Sequence, residues 1–368
     1  MKILHTALIK EFSSGSGIIN QMYDESESAK DLGIDFEVKL FAPKQNIPIK
    51  YNKIFEFCDL DTSKNKFSLW FGYRKAYYQW LESKSENVDC YILRYSTYDY
   101  LQYLFIKRIK KPVYLVHHTK ELEELSLLGV KGKIASLLDR FFGNQSIRYS
   151  AGVIGVTKEI IEYEKLRINN LSKHSILYPN GIKVKDQPLL DKRTKAIPEI
   201  LFIASYFYDW HGLDLLISAA GKSEESFLIH IVGEVNEIDA ESLKKDKRFI
   251  YHSSLTTEEI FEISKQCWIA LGSFALFRKS LNEGSTLKVR EYLSNGLPVY
   301  SGHIDSFPVS FKFYKYSALD MDKILSFAYD MRAYDKNYIK KSSEVYVSKK
   351  NLLRELYNNL IINLNPND

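Results

Sequence analysis

Short apolar runs alternate with helix-length amphipathic stretches along this chain, and the alternation stops once and begins again. In the first half the apolar runs fall at Lys2–Ile9, Phe36–Phe41, Cys90–Leu93, Val113–Val116 and Gly152–Val156. Helical candidates between them include Ile18–Leu32, Tyr98–Ile109 and Lys133–Tyr149. A Pro179-Asn180-Gly181 turn closes this half. The stretch Lys183–Pro198 is charged, carries two prolines and lacks periodicity, so it reads as a linker. The pattern then restarts, with a strand at Glu199–Ala204, a helix at Leu213–Ala220, a strand at Phe227–Val232 ending in Gly233, and a strand at Trp268–Leu271. Thr256-Thr257 followed by Glu258-Glu259 has the composition of a helix N-terminus. Strands that alternate with helices build parallel sheets covered on both faces. The expected class is therefore α/β, with two doubly wound parallel-sheet domains at 1–182 and 199–349 joined by the linker at 183–198. The last amphipathic stretch, Asn351–Leu364, is apolar at Leu352, Leu353, Leu356, Leu360 and Ile361 and needs another surface to cover it.

Composition narrows the function classes. With 368 residues, 45% hydrophobic and 26% charged, the chain has the make-up of a soluble globular protein. Its net charge of +5 is spread along the chain, and no zinc, helix-turn-helix or RNA-binding signature occurs, so no nucleic-acid partner is expected. The densest basic run, Lys107-Arg108-Ile109-Lys110-Lys111, reads as a solvated helix end in preference to a membrane patch. Cys58, Cys90 and Cys267 form neither a disulfide framework nor a metal-ligand spacing, which suits a reducing cytoplasm. No stretch approaches the ~20 apolar residues of a membrane span, and Met1–Ile9 is too short for a signal peptide.

The most chemical segment is Glu283-Gly-Ser-Thr-Leu-Lys-Val-Arg-Glu291, which leads into a helix ended by Asn295-Gly296, with Pro298-Val-Tyr as the next strand. In an α/β domain the loop before such a helix lies at the carboxyl edge of the sheet, where ligands bind. Its backbone N–H groups suit a phosphate, and carboxylates beside it suit sugar hydroxyls. At 100° per residue, Val289, Tyr292 and Leu293 share one face, and Glu291 falls roughly 150° from its centre. Taken singly, Glu291 reads as a solvent residue near Lys288 and Glu283 as an anion at a helix N-terminus; the pair followed by Gly296-Leu-Pro298 favours a site. A second candidate is His117-His118-Thr119, at the end of the Val113–Val116 strand. Lys133–Tyr149 is amphipathic and basic, and reads as a packed surface helix in preference to a membrane-touching one.

These segments resemble the retaining, nucleotide-sugar-dependent glycosyltransferases of family four, whose signature is E-x7-E and whose fold is GT-B. The resemblance covers nearly the whole chain and is most specific over residues 200–300. Ile203-Ala-Ser-Tyr206 with His211-Gly212-Leu-Asp-Leu-Leu-Ile resembles the opening of the family's donor domain. Ile229-His-Ile-Val-Gly233 resembles its second strand there, and His252-Ser-Ser-Leu255 the segment whose backbone meets the base. Met1-Lys-Ile-Leu-His with Gly15-Ser-Gly17 resembles the N-terminal strand and glycine loop. The C-terminal helix, 350–368, resembles the one that crosses back onto the first domain.

The resemblance implies two Rossmann-like domains facing each other across a cleft, the first on the acceptor side and the second binding the donor. It implies catalytic roles for Glu283, at the donor sugar's hydroxyls, and for His118. Glu291 would hold the ribose, and backbone N–H groups at Ser285, Thr286 and Leu287 the diphosphate. Gly15 and Gly17 would let the first-domain loop approach the donor, and Leu255 would meet the base. The family's first donor-domain loop carries an Arg and a Lys; here Tyr206 and His211 stand in those places. A neutral imidazole does not replace a permanent cation, so Arg278 or Lys288 is expected to meet the leaving diphosphate. Arg94-Tyr95-Ser96 is expected on the acceptor side. Trp210-His211-Gly212 and Leu287-Lys-Val-Arg-Glu-Tyr further resemble bacterial surface-polysaccharide transferases. No permanent cofactor and no metal are implied. The co-substrate is a nucleoside-diphosphate sugar, a UDP-sugar favoured over a GDP-sugar, and the acceptor a glycan or lipid-linked oligosaccharide. The implied location is cytoplasmic, with the inner face of the membrane as a further partner surface. The alternatives are a nucleotide-sugar epimerase on the same fold, a non-catalytic sugar-nucleotide-binding subunit, and a structural subunit of a membrane assembly.

Overall fold

A computed structural model describes residues 1–13, 15–59 and 65–364. The chain forms two compact domains: Met1–Pro179 together with the chain from Leu352 onward, and Asn180–Asn351.

The first domain opens with β1 (Ile3–Leu8), α1 (Gly17–Leu32), β2 (Phe36–Pro43), β3 (Phe55–Cys58), α2 (Lys66–Ser83), β4 (Cys90–Arg94) and α3 (Tyr100–Arg108). It continues with β5 (Val113–His117), α4 (Glu121–Ser126), α5 (Gly129–Tyr149), β6 (Gly152–Gly155), α6 (Lys158–Arg167) and β7 (Ser175–Leu177). The seven strands are parallel, in the order β3-β2-β1-β4-β5-β6-β7. Residues of β5 and β6 are buried along their whole length, as strands covered on both faces must be.

The second domain holds β8 (Glu199–Tyr206), α7 (Leu213–Ala220), β9 (Leu228–Glu234), α8 (Glu237–Lys245), β10 (Phe249–His252), α9 (Thr257–Gln266) and β11 (Ile269–Leu271). It then adds α10 (Leu287–Ser294), β12 (Val299–Ser301), β13 (Tyr314–Tyr316), α11 (Met321–Arg332) and α12 (Lys336–Val347). Its six parallel strands run β10-β9-β8-β11-β12-β13. Both sheets thus reverse their order beside their first strand, between β1 and β4 and between β8 and β11. The loops that leave the carboxyl ends of such a strand pair diverge and leave a crevice, the place where open α/β sheets bind ligands.

Local chemistry explains several boundaries. Thr256 caps α9 by a reciprocal box with Glu259: the Glu259 N–H donates to Thr256 Oγ1 at 3.2 Å, and the Thr256 N–H to Glu259 Oε2 at 2.8 Å. The segment 183–198 forms neither helix nor strand. It is nonetheless held to the second domain: the Leu189 N–H donates to Asn337 Oδ1 at 2.7 Å, and buried Arg193 donates to the Tyr334 carbonyl at 2.8 Å. The final helix, α13 (Lys349–Leu364), buries Leu352, Leu353, Leu356 and Leu360 in the core of the first domain, which is the cover its apolar face requires.

Gly233 ends the buried part of β9 with φ of 120°, and a Cβ there would lie 1.6 Å from the Ala204 carbonyl oxygen. Only glycine fits that approach. Gly72, inside α2, has nothing within 4 Å of its Cβ position. Gly233→Ala is expected to lower the stability read from urea denaturation by about 3 kcal/mol, whereas Gly72→Ala should raise it by about 0.5–1 kcal/mol.

Candidate active site

The crevice of the second domain is bounded by the loops after β8 and β11. Backbone bonds lace them together: Phe274 N–H donates to the His211 carbonyl at 3.0 Å and Ala275 N–H to that of Trp210 at 3.3 Å. Gly212, at φ 76°, permits this approach, since a Cβ would lie 3.0 Å from that of Phe274. The loop after β11 then pairs with the chain beyond β12. Gly284 N–H donates to the Ile304 carbonyl at 2.9 Å, and Ile304 N–H to that of Asn282 at 3.0 Å, which fixes half-buried Glu283 between them.

The start of α10 is held from behind. Asn180 donates its backbone N–H to Ser285 Oγ at 2.9 Å and its side-chain amide to the Ser285 carbonyl at 2.6 Å. Arg290, fully buried, donates through Nε to the Asn180 carbonyl at 2.9 Å, through Nη1 to that of Thr286 at 3.3 Å, and through both terminal nitrogens to Asp305. Thr286 occupies the cap position, yet its side chain makes no capping bond, and its buried Oγ1 has no partner. The helix therefore begins at Leu287 with its positive end uncompensated by its own cap.

Beside this end lies Lys288. Its Nζ is buried without a hydrogen-bond partner, 5.7 Å from the centre of the Phe202 ring. Burial pushes its pKa down to about 7, against the pull of Glu291. Glu291 itself stays open to solvent, while the protein packed around it raises its carboxyl above the usual range and Lys288 partly offsets the rise. The helix face expected from the sequence is present, with Val289, Tyr292 and Leu293 buried and Glu291 turned away. His211 Nδ1 accepts the Tyr208 N–H at 3.1 Å, so the ring is neutral and carries its proton on Nε2. Burial, then Lys288 and Lys279, push its pKa down to about 3.

Arg278 is already committed. It forms two bonds to Asp214, at 2.9 and 2.8 Å, and a third to the Asp209 carbonyl at 2.7 Å. Leu255 follows β10 and packs half-buried on the domain's core, one residue before the Thr256 cap.

In the first domain Gly15 and Gly17 are exposed at the start of α1, which Ser16 caps. A Cβ on Gly15 would meet nothing nearer than Ser13 Oγ at 4.0 Å, so the fold itself does not demand glycine there. The two histidines after β5 separate sharply. His117 is fully buried, stacked on Tyr95 at 4.3 Å, with Nδ1 3.1 Å from Glu121 Oε2 and 3.5 Å from Glu164 Oε1. Burial alone would lower its pKa, but Glu164 and Glu121 outweigh it and hold it above the ordinary value. His118 is half-buried, with its backbone N–H on Glu121 Oε1 at 3.3 Å. His117, Glu121 and Glu164 place ligand atoms within 4.8 Å of one another. Arg167 already meets Glu164 at 2.9 Å and Asp139 at 2.9 Å, so the group reads as a buried ion network.

No family model matches the chain, and no curated protein matches it in sequence. Solved structures do match. The lipopolysaccharide outer core galactosyltransferase WaaB, in its apo form, aligns over 98% of this chain and 99% of its own, with a TM-score of 0.68 at 13% identity. A glycosyltransferase from Rickettsia africae aligns over 100% of both chains, also with a TM-score of 0.68, at 12% identity. Anabaena HepE in complex with UDP aligns over 98% of this chain and 100% of its own, at 0.65 and 11%. The fold is GT-B. At such identities the likeness establishes architecture, and the chemistry has to be argued from the residues.

Within this GT-B frame, the structure gathers Glu283, Ser285, Thr286, Leu287, Lys288 and His211 at the crevice end of the second sheet. Glu291 lies one turn along α10, and Leu255 lies in the loop beyond β10, on the far side of β9 from β8. Arg278 is turned to Asp214. The sequence reading missed the clamp behind the site: Asn180 was read as a turn residue and Arg290 was not singled out. Nothing in the sequence links Arg290 to Asp305.

A lysine whose pKa is depressed from 10.5 to about 7 leaves the folded chain with fewer bound protons than the unfolded chain across that window. Stability attributable to Lys288 therefore rises with pH from about 7 to about 10, and its penalty is fully present below 7. Lys288→Met should stabilise the protein most at pH 6, with a gain that shrinks towards pH 10. Thermal melts of both proteins across that range measure the difference.

Proposed function

We propose that this chain is a glycosyltransferase that moves a sugar from a nucleoside-diphosphate sugar, a UDP-sugar, to a hydroxyl of a glycan or lipid-linked saccharide with retained configuration. The observation that carries the donor half is the start of α10. An uncapped helix N-terminus, the unpaired Thr286 hydroxyl and the unpartnered Lys288 ammonium meet at the switch point of a doubly wound sheet. Each group gains from an anion, and a diphosphate supplies oxygens to all three. Anabaena HepE was solved with UDP and with UDP-glucose, and its GT-B fold is shared.

In this reading the N–H groups of Ser285, Thr286 and Leu287 and the Lys288 ammonium hold the diphosphate. His211 adds its neutral Nε2–H donor, Glu291 takes the ribose hydroxyls, Leu255 meets the base and Glu283 orients the donor sugar. Gly15 and Gly17 leave room for ligand approach, which fits the open space around Gly15. His118, half-buried after β5, keeps the catalytic role that the family resemblance gives it. The bond from the anomeric carbon to the phosphate oxygen breaks as the acceptor hydroxyl arrives on the same face. The departing phosphate takes the acceptor's proton, and the charge it develops is met by Lys288 and the helix end. Lys288 rather than Arg278 fills the place of the family's cations, because Arg278 is held by Asp214. Retention, the acceptor class and a role in surface polysaccharide assembly rest on the resemblance of the E-x7-E segment.

The test is binding by calorimetry with UDP, GDP, CMP, ADP and TDP. UDP should bind tightest. Lys288→Met should weaken UDP at least about tenfold, the loss of one charge-assisted contact, and Arg278→Ala should change it less than about twofold. Glu291→Ala should abolish the preference for UDP over 2′-deoxy-UDP. Equal losses from Lys288→Met and Arg278→Ala would overturn the assignment of the cation. Turnover of UDP-sugar into an isomeric sugar without acceptor would favour the epimerase.

A further inference from the structure

We propose that α5 of the first domain docks the protein on an anionic lipid bilayer. Its outward face is its most apolar one. Val130, Ile134, Leu137, Leu138 and Phe141 are between 43% and 76% exposed, and at 100° per residue they fall in one stripe about 100° wide. Leu127 and Leu128, in the approach to the helix, extend it and are at least 70% exposed. The buried face carries mainly small and polar residues instead, Gly132, Ser136, Asp139, Gly143 and Ser146, with Ile147 near its end the one large apolar side chain fully buried there. A surface helix in a globular domain does the reverse. Its orientation is locked. A Cβ on Gly132 would lie 2.1 Å from the Leu125 carbonyl oxygen, and one on Gly143 2.0 Å from Tyr95 Oη. Asp139, fully buried, accepts from Tyr95 Oη at 2.7 Å, Tyr98 N–H at 2.6 Å and Arg167 at 2.9 Å. The leucine and phenylalanine face cannot roll inward without breaking that network. The sequence favoured a packed surface helix here; the structure shows the apolar stripe unpacked.

Charge selects the occupant. Lys131 flanks the stripe on one side, Lys133 and Arg140 on the other, and Arg148 lies near its end, all exposed. The helix's one acid, Asp139, is buried. An apolar wedge rimmed by cations matches acyl chains below anionic headgroups. A second copy docked by a two-fold axis would instead face cations with cations. Neither donor nor acceptor enters the argument, so this inference and the transfer reading fail separately.

The experiment is flotation of the full chain, without nucleotide or acceptor, with vesicles of phosphatidylcholine alone or in equal parts with phosphatidylglycerol. The wild type should float with the anionic vesicles and stay behind with the zwitterionic ones. The triple variant Ile134→Ser, Leu137→Ser, Phe141→Ser should lose at least about tenfold in partitioning while keeping its melting temperature. Phe141→Trp gives a readout independent of the triple variant's folding: its added fluorescence should shift to the blue on anionic vesicles. A wild type that ignores anionic vesicles, a folded triple variant that floats like it, or an unshifted Phe141→Trp would overturn the proposal. So would light scattering that shows a dimer turned monomeric by the triple variant.

Discussion

The second domain depends on one buried ion pair. Arg290 and Asp305 are both screened from water, and two charges so placed cost desolvation that only good geometry recovers. Here the guanidinium also bonds the carbonyls of Asn180 and Thr286, so three segments distant in sequence meet on one side chain. Removing either partner would leave a bare charge in the interior. The position of the α10 N-terminus, and every group arranged around it, follows from that pair.

In front of the clamp the balance is the opposite. Lys288 and Thr286 carry polar atoms with no internal partner, and His211 is held neutral by its burial, by two neighbouring lysines and by the Tyr208 N–H. Satisfied groups stand behind the helix end and unsatisfied ones before it. Under the proposed function this asymmetry is a device: the clamp fixes the geometry in advance, and an arriving anion settles charge the protein leaves open. A lysine with a pKa near 7 would take up a proton as the diphosphate arrives, coupling donor capture to pH.

Much of the fold was legible because strands covered on both faces read as apolar runs, and Cys90–Leu93, Val113–Val116 and Gly152–Val156 are such runs. The short β7 and β13, three residues each, carry too little pattern to be singled out. For α10 the 3.6-residue period placed Val289, Tyr292 and Leu293 inward correctly, but it had no means of finding Arg290, whose burial rests on an aspartate 15 residues on. In α5 the period was visible and the direction was not. Amphipathicity shows that a helix has two faces; the recurring Gly132, Ser136, Gly143 and Ser146 were the sign that the small face is the packed one. Arg278 was near the site in sequence, yet the turn that carries it points it at Asp214. His117 and His118 are neighbours with unlike surroundings because β5 ends at His117, inside the covered sheet, and His118 begins the loop beyond it.

The return of α13 has a consequence for the chain's history on the ribosome. The first domain's core includes Leu352, Leu353, Leu356 and Leu360, and Tyr357 donates to the carbonyl of Met1 at 3.1 Å. The second domain is contiguous from Asn180 to Asn351. Vectorial synthesis therefore starts the first domain early but supplies its last core residues late. The second domain, begun afterwards, holds all its residues first, and for that interval the earlier sheet waits with an apolar face uncovered.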